Sequence, residues 1–174
     1  TLSAWRLADG SPIGEPRELL GETAALAFDP SGTHLALGSD PMVEIVDAAT
    51  LAPTVEPFDA HGGLVYSLQW LDGGAELMSA GEDGAVEVWD PTTGRAVRRS
   101  LVGHTASVLA AAVASDEDLM VTSSTDGRVA VWSLAGRGPA ARSLPGEAVV
   151  TAVAIAGDGT MVTGSDDGSV QRRD

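Results

Sequence analysis

The sequence predicts an all-β fold assembled from about four copies of one short antiparallel unit. Three observations predict it. Asp-Gly pairs recur at Asp83-Gly84, Asp126-Gly127 and Asp167-Gly168, spaced 43 and then 41 residues apart. A tryptophan follows six residues after each of the first two, at Trp89 and Trp132, and a histidine stands 22 residues before each, at His61 and His104. Between these markers lie short runs in which apolar and polar side chains alternate, the period of a strand with one buried face.

The clearest unit sets out the elements in order. Val65 to Trp70 reads V-Y-S-L-Q-W, and Asp72-Gly73-Gly74 turns the chain. Leu77 to Gly81 is a second strand and Asp83-Gly84 a second turn. Asp-Gly between alternating runs is a strong hairpin signal, because glycine accepts the positive φ that a type I′ turn requires. Ala85 to Trp89 alternates A-V-E-V-W, Asp90 to Gly94 turns again, and Arg95 to Val102 supplies a fourth strand. The next unit repeats this order with Val108 to Val113, Leu119 to Ser123 and Arg128 to Trp132. The last has Val150 to Ile155, Met161 to Gly164 and Ser169 to Arg173. The first has Leu26 to Phe28, His34 to Gly38 and Met42 to Val46. Ala106 to Ala114 is rich in alanine, a helix former, but its register in the repeat marks it as a strand. Arg137 to Ala141 reads as an exposed connection.

Counting 43 residues back from Asp83 reaches Asp40, with Pro41 in the glycine place, Ala36 in the place of Ser79 and Val46 in the place of Trp89. One period earlier stands Trp5. The expected organisation is a single domain, 1–174, with a partial repeat over 1–7 and repeats at about 8–47, 48–90, 91–133 and 134–174. Trp5 and Arg173 then hold the same repeat position. The chain is expected to begin in one third strand and end in another, as part of a longer chain or as a homo-oligomer that closes a ring. The tryptophans Trp5, Trp70, Trp89 and Trp132 are expected to be mostly core.

Composition limits the function. The formal net charge is −15, from 25 acidic and 10 basic residues. Such a surface repels nucleic-acid phosphates and anionic membranes and suits cationic protein partners. There is no cysteine, so thiol nucleophiles and thiolate metal sites are excluded. All the basic residues are arginine. Schiff-base and phosphate-loop lysines are excluded with them, and the Ala-, Gly- and Arg-rich composition points to a bacterial source. The longest apolar run, Val108 to Ala114, is far below the roughly 20 residues of a membrane span. Thr1 to Gly10 does not read as a signal peptide, and a cytoplasmic location is expected.

Gly103-His104, the run T-S-S-T-D-G from Thr122 to Gly127, Val131-Trp132-Ser133 and the Trp89-Asp90 dipeptide resemble WD40 repeats. The resemblance covers the whole chain. It implies a β-propeller segment of about four four-stranded antiparallel blades, whose strands are named a to d from axis to rim. It further implies a hydrogen-bonded structural tetrad in two units: His61, Ser79, Asp83 and Trp89 in one, His104, Thr122, Asp126 and Trp132 in the other. The last unit keeps Thr163 and Asp167 but has Glu147 near the histidine place and Arg173 in the tryptophan place. By the same resemblance Leu64, Tyr66, Glu82, Leu109, Thr125, Thr151 and Asp166 are candidate partner contacts on the top face of the ring. Tyr66, the sole tyrosine, stands out because tyrosine offers a large rigid surface with a polar tip.

Catalytic and ligand readings are weighed against these. Histidine, serine and aspartate invite a hydrolase, yet there is no G-x-S-x-G elbow, and the trio recurs in equivalent places like a structural device. Asp166-Asp167-Gly168 and Asp116-Glu117-Asp118 lack the ligand spacing of a calcium loop. Gly157-Asp158-Gly159 does not stand between a strand and a helix, as a phosphate loop must. Arg95, Arg98 and Arg99 form a basic cluster suited to guarding a rim strand against edge pairing. The function expected is a non-catalytic scaffold without metal or cofactor that binds protein or peptide partners. The alternative is a regulatory or sensory module of a larger multidomain signalling protein.

Overall fold

A computed structural model describes residues 1–19, 21–97, 100–101, 103–114, 119–134, 148–173 and the backbone of 138–145. The strands form five antiparallel sheets in sequence order. A two-stranded sheet joins β1 (Leu2–Trp5) to β2 (Pro12–Arg17). Blade 1 holds β3 (Thr23–Phe28), β4 (His34–Ser39), β5 (Met42–Asp47) and β6 (Phe58–Asp59). Blade 2 holds β7 (Val65–Leu71), β8 (Glu76–Gly81), β9 (Val86–Asp90) and β10 (Arg95–Ala96). Blade 3 holds β11 (Val108–Val113), β12 (Leu119–Ser124), β13 (Arg128–Ser133) and β14 (Gly138–Pro145). Blade 4 has three strands, β15 (Val150–Ile155), β16 (Met161–Ser165) and β17 (Val170–Arg173). The first strands of successive blades, β3, β7, β11 and β15, pack against one another and line the axis of a β-propeller arc.

Local chemistry explains the hairpins. Gly84, Gly127 and Gly168 stand at φ +80°, +75° and +84°, a conformation that a side chain would strain. The alanine-rich run from Ala106 forms β11, because alternate side chains pack against the blades on either side. In blade 2, β10 pairs with β9, Val97 N–H donates to the Val88 carbonyl and Leu101 bridges Val86, while Arg98, Arg99 and Val102 of the expected fourth strand lie outside the described residues. One sequence expectation is corrected. Residues Gly138 to Ala141 are not a loose connection but the start of β14, paired to β13.

Each blade presents two apolar faces. The face toward the next blade carries small residues on the inner strands: Ala25, Ala27, Ala36 and Gly38 in blade 1, for example. Against these pack the larger residues Val65, Leu68, Trp70, Leu77 and Trp89 of blade 2. The fit is close: a methyl group on Gly38 would lie 2.7 Å from Val65. Trp70 also donates from Nε1 to the Ala27 carbonyl at 3.0 Å, so it bonds across the interface that its ring fills. Blades 2 and 3 meet through Met78, Val86 and Val88 against Val108, Met120 and Trp132, and blades 3 and 4 through Val121 and Val129 against Val150 and Met161.

The ends of the arc differ. The sheet β1–β2 covers only the outer part of blade 1: Leu2 and Ala4 pack on Leu35, Leu37, Val46 and Leu51. Arg17 forks onto the buried Glu44 carboxylate, with N–O distances of 2.7 and 2.6 Å. The inner part of the same face, Leu26 and Phe28, is left 59% and 63% exposed. Trp5 is also 61% exposed, against the expectation of a core position, because its sheet has no inner strands for the ring to lie on.

Blade 1 corrects the sequence alignment as well. Ser79 pairs with Leu68 as Leu37 pairs with Leu26, so Leu37, not Ala36, stands in the place of Ser79. Between Gly38 and Val43 the hairpin is one residue shorter than between Ala80 and Val86. Asp40 N–H therefore bonds the Glu22 carbonyl just as Glu82 N–H bonds that of Leu64, which makes Asp40 the counterpart of Glu82 rather than of Asp83. With an apolar Leu37 in the hydroxyl place, this blade is held by packing.

Candidate functional site

The polar residues singled out in the sequence fall into two groups, one inside the blades and one at their ends. Inside blade 2, Trp89 Nε1 donates to Ser79 Oγ at 2.8 Å. Ser79 Oγ lies 2.7 Å from His61 Nε2, and His61 Nδ1 lies 2.9 Å from Asp83 Oδ1. Blade 3 repeats the chain: Trp132 to Thr122 at 2.9 Å, Thr122 to His104 at 2.8 Å, and His104 to Asp126 at 3.0 Å. One proton arrangement satisfies every group. The indole donates to the hydroxyl, the hydroxyl to Nε2, and Nδ1–H to the carboxylate.

Each carboxylate also ties down backbone. Asp83 accepts from the amides of Gly62 and Ala85 at 2.8 and 3.0 Å. Asp126 accepts from those of Thr105 and Arg128 at 3.0 and 2.9 Å. Burial pushes both carboxyls up, but these amides and the histidines outweigh it, and both sit below the ordinary carboxylate pKa. The Asp126 side chain is 5% exposed and that of Asp83 30%, so blade 3 holds the better-shielded network.

The serine–histidine–aspartate connectivity matches that of a hydrolytic triad, but its setting does not suit attack. Ser79 and Thr122 are fully buried, and each hydroxyl already accepts an indole N–H. A nucleophile needs an open approach and an oxyanion site beside it. Among the described residues no group of three histidine or acidic side chains is placed to hold a metal ion. Asp116 to Asp118, Arg98, Arg99, Arg137 and Glu147 lie outside the described residues. In blade 4, Thr163 is buried and Asp167 Oδ1 accepts from the Ser169 amide at 2.8 Å, while strand c brings Arg173 opposite Met161.

The second group gathers at the end of each blade where strand a starts and strand b stops. Tyr66, Leu109 and Thr151 occupy a β-bulge in strand a: Val65 and Ser67, Val108 and Ala110, and Val150 and Ala152 pair normally on either side of them. Ala24 has the same place in blade 1. A bulged residue has no cross-strand partner and is aimed away from the regular pleat. Tyr66 and Leu109 are half-buried there and Thr151 is exposed. Beside the bulges stand Asp40, Glu82, Thr125 and Asp166, all exposed, each with its amide bonded to the segment entering strand a. Leu64, half-buried, supplies one of those carbonyls. The sequence points to each of these except Ala24 and Asp40, which the short blade 1 hairpin hides.

Comparisons with known proteins agree with this geometry. The family model for the WD domain, G-beta repeat, matches residues 53–90, 95–133 and 138–171. The chain is 33% identical to a guanine nucleotide-binding protein subunit beta of Solanum tuberosum over 160 residues, 82% of this chain and 42% of that protein. It is 33% identical to WD repeat-containing protein 37 of Xenopus laevis, over 98% of this chain and 34% of the relative. The chain thus spans less than half the length of these relatives. Among solved structures it resembles the computationally designed Ika4 protein, with TM-score 0.78 and 26% identity, over 94% of this chain and 98% of that one. It also resembles the designed Ika8 protein, with TM-score 0.82 and 26% identity, over 97% of this chain and 50% of that one.

Proposed function

Because the chain belongs to the WD40 repeat family, we propose that it is a non-catalytic scaffold that binds protein or peptide partners at the bulged end of its blades. The observation that carries this reading is the recurrence of the bulge. It displays Ala24, Tyr66, Leu109 and Thr151 at one end of the arc, beside Asp40, Glu82, Thr125 and Asp166. Three of the latter four are acidic, in a chain of net charge −15. The partner that fits is therefore a cationic segment, rich in arginine or lysine, with an apolar residue to lie against Tyr66 and Leu109. The buried and mutually bonded hydroxyls of Ser79 and Thr122 support a structural rather than a chemical role for the inner network.

An arginine-rich peptide titrated against the chain tests the reading. Tyr66→Ala is expected to weaken binding by about 1 kcal/mol or more and to leave the fold intact. Glu82→Gln is expected to weaken it and to flatten its salt dependence. Binding unmoved by both changes would refute the site, and unfolding of the Tyr66 variant would show that its ring is structural.

A second reading is favoured by the length of the relatives, which extend well beyond the matched region. In it the arc is the regulatory or sensory part of a longer signalling protein. In either reading the arc works as part of a closed ring, completed by further blades of a longer chain or by further copies.

A further inference from the structure

Between blades 1 and 2, at the end away from the bulges, lies a cavity of about 270 Å³. It is lined by Ile45, Trp70 and Pro91 and by the polar side chains of Asp29, His34, Thr54 and Thr92. We propose that this cavity is a second binding site, which receives one arginine side chain of a partner protein with Asp29 as its counter-ion. The site lies between two four-stranded blades and is independent of what binds the bulged end.

The pairing register shows what the cavity replaces. Asp29 follows Phe28, and Leu71, Ala114 and Ala156 hold the same place after Trp70, Val113 and Ile155 in the other blades. The turn does not need an acid there. Ala114 and Ala156 make the same backbone bond as Asp29, from N–H to the carbonyl where strand b begins. Between blades 2 and 3 the equivalent space belongs to the apolar core, where Leu71 and Val88 cluster with Val113 and Leu134. These four stand in the register of Asp29, Ile45, Trp70 and Pro91. Thr54 likewise stands for Val97, since its amide bonds the Ile45 carbonyl as that of Val97 bonds Val88. A shorter acid thus replaces a leucine, a hydroxyl replaces a valine, and the space stays open.

The lining offers acceptors. Trp70 has given its N–H to the Ala27 carbonyl at 3.0 Å, Thr54 its hydroxyl proton to the Ile45 carbonyl at 3.1 Å, and Thr92 its own to Asp90 Oδ1 at 2.7 Å. Asp29 is only 9% exposed. It accepts from the Ser31 hydroxyl at 2.5 Å and the His34 amide at 2.7 Å, both neutral donors, and lone pairs remain on its two oxygens. Burial pushes the carboxyl up, but these donors outweigh it and hold it at about 2, so the charge persists at any physiological pH. Among the described residues no arginine pairs with it; the nearest basic group is the His34 ring, with Nδ1 3.8 Å from Oδ2. A guanidinium fits this lining. It carries five donors and no acceptor, forks onto a carboxylate, and lies flat against an indole. The cavity is smaller than the roughly 300–1,000 Å³ of sites for whole small molecules, which suits a single side chain. The net charge of −15 favours the approach of a cation.

NMR titration of the isotope-labelled chain tests the site. The probe is a short capped peptide with one arginine among glycines and serines. It is expected to shift the Trp70 indole N–H and the Thr54 and Thr92 amides saturably. The same peptide with citrulline, neutral and of the same shape, is expected to leave them in place. Asp29→Asn is expected to raise the dissociation constant at least about tenfold. Asp29→Leu, which puts the residue of blade 2 into blade 1, is expected to abolish the shifts and raise the urea midpoint. Tyr66→Ala and Glu82→Gln are expected to leave these shifts unchanged, which separates this site from the bulged end. No saturable shift, equal shifts with citrulline, or shifts that survive Asp29→Asn would overturn the proposal. So would shifts produced by a leucine peptide in place of the arginine one, which would make the cavity an apolar slot.

Discussion

Blades 2 and 3 and blades 1 and 4 share one strand plan but are held together differently. The inner pair locks loop, strand b and strand c through a buried chain of four side chains. Blade 1 replaces the hydroxyl with Leu37 and shortens the hairpin that would carry the aspartate. Blade 4 keeps Thr163 and the turn aspartate but brings arginine to the tryptophan place. A blade thus needs an apolar face on each side more than it needs the polar network. The network adds rigidity at fixed points, because its members are satisfied only in one arrangement.

The difference is open to direct attack. The largest expected effect is at Trp132, which fills the blade 2–3 interface and donates to Thr122. Trp132→Ala should cost about 3–5 kcal/mol, whereas Val46→Ala, in the same place of blade 1, should cost less, because fewer atoms leave the core. Urea midpoints of the two variants measure it. Next comes Asp126→Ala, which strands His104 and two amides and should cost on the order of 1–3 kcal/mol. Asp83→Ala should cost less, its carboxylate being more open to water. Asp40→Ala should stay within about 0.5 kcal/mol. Equal midpoints for the Asp126 and Asp40 variants would erase the distinction between the blades.

Acid sharpens the comparison. Asp83 and Asp126 have lowered pKa values in the folded chain, so the unfolded chain binds their protons first as pH falls. Their stabilisation is complete above the ordinary carboxylate value near 3.8 and is lost as pH falls through the lower folded values. Asp29 shares this behaviour. Burial pushes it up, but Ser31 and the His34 amide, with the His34 ring nearby, hold it at about 2. Denaturant midpoints should therefore decline steeply below pH 4, and less steeply in Asp126→Asn. The smallest effect is at Asp167, exposed and bonded only within its own turn among the described contacts. Asp167→Ala should change the stability by no more than about 0.5 kcal/mol. Hydrogen exchange should show β15 and β16 opening before β11 and β12.

Much of this was legible in the sequence, where the signal is local. Asp-Gly pairs fix hairpins because glycine alone is at ease in the turn, and the fixed offset from His61 to Asp83 and Trp89 reflects strands of constant length. Four features were not legible. The bulge at Tyr66 is a backbone event with no residue signature of its own. The short blade 1 hairpin placed an aspartate, Asp40, where simple counting took it for the tetrad acid. The exposure of Trp5 depends on which sheet stands beside it, and a repeat position does not carry that information. The Arg17–Glu44 pair was missed for the same reason: its members belong to different sheets, 27 residues apart.

The bulges have a consequence for how such a protein changes over time. In blades 2 and 3 the other residues of strand a answer to a partner across the sheet, and most of them to a neighbouring blade, so most substitutions there disturb packing. The bulged residue answers to neither. Ala24, Tyr66, Leu109 and Thr151 already differ in size and chemistry while the pairing on each side of them stays the same. Selection can rewrite these four letters to suit a new partner while the architecture beneath them is inherited unaltered.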